Sequence, residues 1–282
     1  MRLLLLLLAL GCEKDVLFQD PTPPDSGIHP DADVIEPEID AGFPDASRPM
    51  TDAGVPPAAE PVYIQTGTTL YSYDPALNRA VRVGDFRDQN GAIDLMVDIA
   101  IDRSGTMFGG VSEHVGNGNF ENRIFLINPE TAFCTYLFEF DDKLNGMAFL
   151  DDGRLVIAGE RVTVIDPQNG QPLVSWPSTD QYATSGDVVG LPDGFLYWTV
   201  RGAAQGDADR VVRIDPAAGT TAIIGDASVT SIFGLGYAEG VLYGFTSGGE
   251  VVTLDPLSGA VIAVKMLDGR WYGATTNPVL WD

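Results

Sequence analysis

Cysteine and histidine are nearly absent from this chain, which has two of each among its 282 residues. The chain is therefore not built on a disulfide framework, and its folded part must depend on an apolar core. A histidine-rich metal site is excluded, and a Ser-His-Asp triad would have to use His114, since His29 lies in an acidic N-terminal stretch. The sequence also lacks a Gly-x-Ser-x-Gly elbow, a phosphate-binding glycine loop and a dinucleotide fingerprint.

Basic residues are few as well: 16 lysines and arginines face 40 aspartates and glutamates, for a net charge of −24. Residues 13–60 hold 12 acidic residues and only Lys14 and Arg48 as bases. From residue 61 onward the chain still carries 28 acidic and 13 basic residues. Both parts would repel a phosphate backbone, so we expect no nucleic-acid partner.

The apolar run at the N-terminus, residues 3–10, is too short to span a bilayer. A positive residue precedes it and a glycine follows it, which predicts a signal peptide over residues 1–11. The tetrapeptide Ala9-Leu10-Gly11-Cys12 resembles the lipobox of bacterial lipoproteins. That resemblance implies cleavage before Cys12 and acylation of this cysteine. The alternative is a secretory leader that is followed by an incidental cysteine.

The resemblance to lipoproteins also implies a location. Retention at the inner membrane usually goes with aspartate after the acylated cysteine, whereas this chain has Glu13. We therefore expect a protein of the bacterial cell envelope, held at the outer membrane by its acyl chains. Acylation of Cys12 would leave Cys134 without an intramolecular partner, and in its apolar strand Cys134 is expected to act as a small buried hydrophobe.

Residues 12–60 are rich in proline, aspartate and alanine and show no period of 2 or 3.6 residues. Such a stretch buries too little apolar surface to offset its chain entropy, and its like charges extend it. The composition predicts a disordered acidic tether. A dedicated binding tail is the alternative.

One phrase recurs from residue 62 onward: an apolar strand that ends in Asp-Pro or Asn-Pro, a short turn and a second apolar strand. Proline ends strand pairing, and the preceding Asp or Asn can bond back to the turn backbone. The five copies are Asp74-Pro75, Asn128-Pro129, Asp166-Pro167, Asp215-Pro216 and Asp255-Pro256.

A second phrase alternates with the first and consists of two apolar strands around an acidic or glycine turn, so that two phrases make four strands. The Asp-Pro positions are 54, 38, 49 and 40 residues apart, near the roughly 40–50 residues of one propeller blade. The ends supply a further repeat, in which residues 270–275 form the inner strand and residues 62–65 the next. We therefore predict an all-β domain over 61–282, a single β-propeller of five four-stranded blades with both termini in one blade.

Through its strand-Asp-Pro-x-x-Gly phrase, this domain resembles the quinoprotein-like and NHL-like propellers of bacterial surface and periplasmic proteins. The resemblance covers essentially all of residues 62–282. It is specific for architecture but not for function, because propellers include hydrolases, lyases and scaffolds.

Alignment of the predicted inner strands places Asp98, Asn145, Asp187 and Arg270 near one mouth of the central channel. Asp98, Asn145 and Asp187 are candidate ligands of one calcium ion, which takes six to eight oxygens, and lactonase-like propellers use similar residues. The alternative is that these residues begin strands and bond to backbone and water.

Two long connections on the same face are candidate ligand loops, although both can equally be mere insertions. The first spans residues 112–123 and the second spans residues 201–210. Their candidate ligand residues, together with Arg270 at the mouth, are Glu113, His114, Asn117, Asn119, Asp207 and Asp209. His114 is a candidate general base, and the alternative is that it is a solvated loop histidine.

Two functions follow as expectations. The first is a surface-displayed, lipid-anchored binding or scaffold module with a monomeric domain and a protein, carbohydrate or small-molecule ligand that the sequence does not identify. The second is a metal-assisted hydrolase or lyase, lactonase-like or glycosidase-like, that acts at the channel mouth. The missing catalytic motifs favour the first.

Overall fold

The computed structural model describes residues 61–116 and 119–281. The predicted signal peptide, Cys12 and the predicted tether lie outside these residues, as does Asn117. No helix among the described residues is long and apolar enough to cross a membrane.

The regular secondary structure of the described chain consists almost entirely of strands. In chain order they are β1 (Val62–Gln65), β2 (Thr69–Asp74), β3 (Arg79–Asp85), β4 (Arg87–Asp88), β5 (Gly91–Ala92), β6 (Met96–Ile101), β7 (Met107–Gly116), β8 (Asn119–Ile127), β9 (Cys134–Phe140), β10 (Gly146–Phe149), β11 (Leu155–Ala158), β12 (Val162–Ile165), β13 (Pro172–Ser175), β14 (Thr184–Gly190), β15 (Leu196–Val200), β16 (Arg210–Asp215), β17 (Thr220–Asp226), β18 (Ile232–Ala238), β19 (Val241–Thr246), β20 (Glu250–Leu254), β21 (Val261–Met266) and β22 (Gly273–Thr276). Two short 3-10 turns cover Pro177–Thr179 and Pro278–Leu280.

Twenty of these strands form five four-stranded antiparallel sheets, which are the blades of a β-propeller. Blade I has the strand order β22-β1-β2-β3, and blades II to V are β6–β9, β10–β13, β14–β17 and β18–β21. The first strand of each sheet is innermost, and neighbouring innermost strands contact one another around the ring. The small ribbon β4–β5 links blades I and II. The predicted all-β five-bladed architecture is thus confirmed.

Blade I closes the ring with strands from both ends of the domain. β22 pairs antiparallel with β1, from Val62 opposite Thr276 to Gln65 opposite Gly273. The prediction that the termini share one blade is confirmed, but the inner strand begins at Gly273 rather than at residue 270. Trp271 instead packs its ring edge-on against Tyr71, with 5.4 Å between centroids.

The recurring Asp-Pro and Asn-Pro phrase is explained by its turn geometry. In Asp215, for example, Oδ1 accepts hydrogen bonds from the backbone N–H groups of Ala217 and Ala218, at 2.9 and 3.0 Å. The residue four places after each Asp or Asn has a positive φ, which glycine adopts at no steric cost. These five residues are Asn78, Ala132, Gly170, Gly219 and Gly259, with φ of 47°, 59°, 73°, 65° and 64°.

The hydrophobic core lies between the blades rather than in one central mass. Each of its five clusters joins two neighbouring sheets. The cluster between blades V and I joins Phe245 and Val251 to Val62, Tyr73 and Trp271. Blade I therefore depends on the C-terminal residues for its contact with blade V as well as for its inner strand.

Candidate functional site

One end of the central channel opens into a cavity of about 360 Å³, which we call the entrance cavity. It lies where the inner strands begin, the mouth to which the sequence assigned its candidates. Its walls are formed by Thr66, Gly67, Asp94, Leu95, Met96, Val97, Ser112, Asn145, Ser185, Gly186, Phe233 and Tyr272.

Strand register explains how five of these wall residues reach the cavity. The inner strand of each blade pairs with the second strand, and one inner-strand residue lies opposite the first buried residue of that second strand. The inner-strand residues at this position are Ile101, Phe149, Gly190, Tyr237 and Thr276. The residues four places earlier all line the cavity and form what we call the mouth ring: Val97, Asn145, Gly186, Phe233 and Tyr272. Each blade thus contributes one equivalent residue.

The next residue of each inner strand lies one step deeper, in what we call the axial ring. This ring consists of Asp98, Gly146, Asp187, Gly234 and Gly273. The glycines are required, because a Cβ at Gly273 would lie 2.5 Å from Asp98 Oδ1 and a Cβ at Gly146 would lie 2.9 Å from the Cα of Asp187. Two aspartates therefore occupy the space that three glycines leave.

The two aspartates are fully buried and hydrogen-bond to each other. Asp98 Oδ2 also accepts from the backbone N–H of Met147 at 2.6 Å, which links blade II to blade III. Asp187 Oδ2 accepts from the N–H of Leu235 at 2.6 Å, which links blade IV to blade V. The carboxyl groups thus cross-link inner strands that have no ladder hydrogen bonds between them.

A hydrogen bond between two carboxyl groups requires a proton on one of them. Burial raises the pKa of Asp187 to about 8. Burial, and then the charge of Asp187, raise the pKa of Asp98 well above its usual range. Asp98 Oδ1 receives no hydrogen bond from an N–H or O–H group of the described residues. At neutral pH the pair retains a proton.

The structure brings Asp98 and Asp187 together and places Asn145 in the cavity wall above them. Three of the four carboxyl oxygens of Asp98 and Asp187 accept hydrogen bonds from backbone N–H groups, each at 2.6 Å. No group of three or more His, Cys, Asp and Glu side chains among the described residues is arranged to hold a metal. Calcium needs six to eight oxygens, and a calcium site at Asp98, Asn145 and Asp187 stays a prediction.

The first candidate ligand loop is largely a β-hairpin rather than an irregular loop. Strands β7 and β8 extend through Glu113, His114 and Asn119, because ladder pairing continues to Gly116 opposite Asn119. Glu113 is exposed and lies 3.5 Å from Arg123 on the paired strand. Of the described residues of this hairpin, Ser112 at its base lines the entrance cavity.

The second candidate loop, residues 201–210, separates its two acidic residues. Asp207 is exposed and accepts from the N–H of Ala204 at 2.7 Å, which closes the loop on itself. Asp209 is buried, and its Oδ2 accepts from Ser185 Oγ at 2.6 Å and from the N–H of Ile232 at 2.8 Å. Burial raises the pKa of Asp209. Its contacts position the start of β18 rather than face a ligand.

Arg270 is exposed and is absent from the cavity wall. The aromatic residues that do line the cavity, Phe233 and Tyr272, were not singled out from the sequence. Their rings are stacked at 6.1 Å between centroids and 13° between planes. A usable signal existed, since each aromatic residue directly precedes an axial glycine, Gly234 or Gly273.

Two buried polar atoms in the cavity wall, Ser112 Oγ and Asn145 Oδ1, have no hydrogen-bond partner within the described part of the chain. Buried polar groups are normally paired, and an unpaired one costs about 1–3 kcal/mol. Both residues line the same cavity. The site can therefore recover this free energy when a ligand supplies the missing hydrogen bonds.

No protein-family model matches the chain, and no curated protein matches it. Among solved structures, BamB from Moraxella catarrhalis is similar over 74% of this chain and 71% of its own, at 14% identity and a TM-score of 0.38. The structure titled U3-55K gives 12% identity and a TM-score of 0.44, and the RRP9 WD40 repeats give 12% and 0.43. Each of these two alignments covers 72% of this chain, but only 60% and 59% of the other chain.

Proposed function

We propose that this chain is a lipid-anchored binding module displayed at the bacterial outer membrane, and that its five-bladed propeller binds a ligand in the entrance cavity. The observation that carries the binding role is the pair of unpartnered buried atoms, Ser112 Oγ and Asn145 Oδ1, in one cavity wall. A volume of about 360 Å³ falls within the range of about 300–1,000 Å³ that is usual for small-ligand sites.

A binding role is favoured over a hydrolase or lyase reaction because of where the carboxyl groups lie. Asp98 and Asp187, the acidic side chains with the most strongly raised pKa values, are fully buried beneath the mouth ring. A general acid must come within hydrogen-bond reach of its substrate. Asp94 is the exposed acid of the cavity, and no second carboxyl group stands beside it among the described wall residues.

The binding role is tested by a thermal-shift screen of the full chain against amines, saccharides and small carboxylic acids. A true ligand raises the melting temperature, since it binds the folded state alone. Its effect should be lost in Tyr272→Ala, which removes a half-exposed wall residue. Leu257→Ala, in an exposed turn outside the cavity, is the control. If no compound acts in a Tyr272-dependent manner, the binding role is wrong.

The anchor is supported by the lipobox-like residues 9–12 and is tested separately. The wild-type chain and Cys12→Ser are expressed in a Gram-negative host, and membrane and soluble fractions are compared by intact mass. We expect acyl chains and membrane association for the wild type and neither for the variant, because two or three acyl chains are needed for firm attachment. Equal masses after processing, or equal membrane association, would refute the anchor.

A further inference from the structure

We infer that the entrance cavity recognises a basic side chain, the ammonium of lysine or the guanidinium of arginine, presented by a protein partner. This inference rests on the proposed binding role and adds the class of ligand. Three independent properties of the cavity support it: the hydrogen-bonding character of its free atoms, its charge and the shape of its apolar wall.

The free buried atoms of the cavity need hydrogen-bond donors. Asn145 Oδ1 is an acceptor only, and Ser112 Oγ can accept as well as donate. The hydroxyl of Ser185, another wall residue, already donates to Asp209 at 2.6 Å. A ligand that donates several hydrogen bonds and accepts few is therefore the best match. Ammonium and guanidinium groups donate only, whereas a sugar hydroxyl also needs donors from the protein.

The charge of the cavity also favours a cation. Among the described residues, the wall contains no lysine, arginine or histidine, and Asp94 is the charged residue in it. Around it, the sequence from residue 61 onward has 28 acidic against 13 basic residues. This field attracts a basic partner and repels anions.

The apolar wall suits an aliphatic stem below a charged head. Phe233 and Tyr272 present stacked rings, and Leu95 and Val97 complete the apolar side of the wall. Lysine and arginine bury their methylene stems on apolar surface, and their cationic groups are attracted to aromatic faces. The same wall would leave a compact inorganic cation without contacts.

The test is a titration of the full chain with Nα-acetyl-lysine methylamide and Nα-acetyl-arginine methylamide, followed by NMR or calorimetry. The neutral counterparts are the norleucine and citrulline derivatives; citrulline keeps the shape of arginine and most of its donors without the charge. For a ligand of this size we expect a Kd on the order of 1 mM. The neutral derivatives should bind at least tenfold more weakly.

Two variants locate the binding site. Asn145→Leu removes the buried acceptor, and Asp94→Asn removes the charge of an exposed residue. Each should weaken binding of both basic probes about tenfold, the effect of losing one hydrogen bond to a charged group. Glu130→Gln, an exposed acid outside the cavity wall, should leave the affinity unchanged.

The outcomes separate this inference from the proposed function. Equal affinity for the charged and neutral derivatives would overturn recognition of a cation. So would an affinity for the basic probes that is unchanged in Asp94→Asn and Asn145→Leu. Tyr272-dependent binding of methyl pyranosides without binding of the basic probes would also overturn it but would retain the binding role. The absence of any Tyr272-dependent ligand would refute both.

Discussion

The carboxyl group of Asp98 hydrogen-bonds to that of Asp187 inside the channel, although the two residues belong to blades that are not neighbours in the ring. Between them, in chain order, lies blade III, whose axial residue is Gly146. The pair also accepts the N–H groups of Met147 and Leu235. Four of the five inner strands, β6, β10, β14 and β18, are thus joined through one protonated pair.

Stability should fall as the pH rises from about 4 to about 8. The native pair binds a proton up to a pKa of about 8 for Asp187, and the pKa of Asp98 is raised well above its usual range, whereas an unfolded aspartate has a pKa of about 3.9. The native state therefore binds more protons than the unfolded state in this window, and the stabilisation that is present below pH 4 is lost as the pH rises.

Asp98→Asn isolates this effect from the repulsion among the exposed acids. The amide keeps an acceptor for Met147 and donates to Asp187 without a titrating proton. The melting temperature of the variant, relative to that of the wild type, should rise by about 3 °C or more between pH 5 and pH 8, which corresponds to roughly 1 kcal/mol. Asp180→Asn, an exposed carboxyl, is the control. Curves for Asp98→Asn and wild type that stay parallel would contradict the prediction.

Trp271→Ala should destabilise the whole ring. Trp271 is 1% exposed, packs against Tyr71 and donates from Nε1 to the carbonyl of Leu267 at 3.3 Å. Loss of a buried tryptophan costs about 3–5 kcal/mol. Since Trp271 belongs to the cluster that joins blades V and I, the variant should melt in one transition at a lower temperature, as measured by circular dichroism.

Leu257→Ala is the matched control for Trp271→Ala, because Leu257 is 79% exposed and its removal leaves no cavity. A Trp271→Ala variant within about 1 kcal/mol of the wild type would contradict the cavity argument. A separate early transition would show that blade I frays independently and that ring closure adds little to cooperativity.

Cys134 should be unreactive in the native protein. It is buried, and burial raises the pKa of its thiol to about 12. Only the thiolate attacks disulfide reagents, so native Cys134 should react with DTNB at pH 8 far more slowly than an exposed thiol. The Cys12→Ser background makes Cys134 the remaining cysteine, and addition of guanidinium chloride should release its full reaction. Rapid reaction before denaturation would show that the strand around Cys134 opens readily.

Local chemistry explains how much of the fold was predictable. An Asp or Asn before proline closes its own turn, as Asp215 does on Ala217 and Ala218, and this chemistry depends on only five consecutive residues. Each blade therefore carries its own marker in the sequence. The count of five blades and the shared blade I followed from the spacing of these markers.

The site was less predictable, because its residues meet only through the ring. The positions of Asp98, Asn145 and Asp187 at the mouth followed from strand alignment, but alignment could not tell whether two carboxyl groups would face a metal, water or each other. The glycines of the axial ring decide this, since they leave the space into which the two aspartates extend. The loop that contains Asp209 was likewise visible as an insertion, whereas its burial depends on contacts with Ser185 and Ile232.

The sequence by itself determined the strands, their turns, the number of blades and the excess of acidic charge, because these depend on neighbouring residues or on sums over the chain. Only the tertiary structure decided that Asp98 and Asp187 meet inside the channel, that Phe233 stacks on Tyr272 and that Asn145 and Ser112 face one cavity. Each of these pairs joins different blades, and the distance between such residues is set by closure of the ring around its axis.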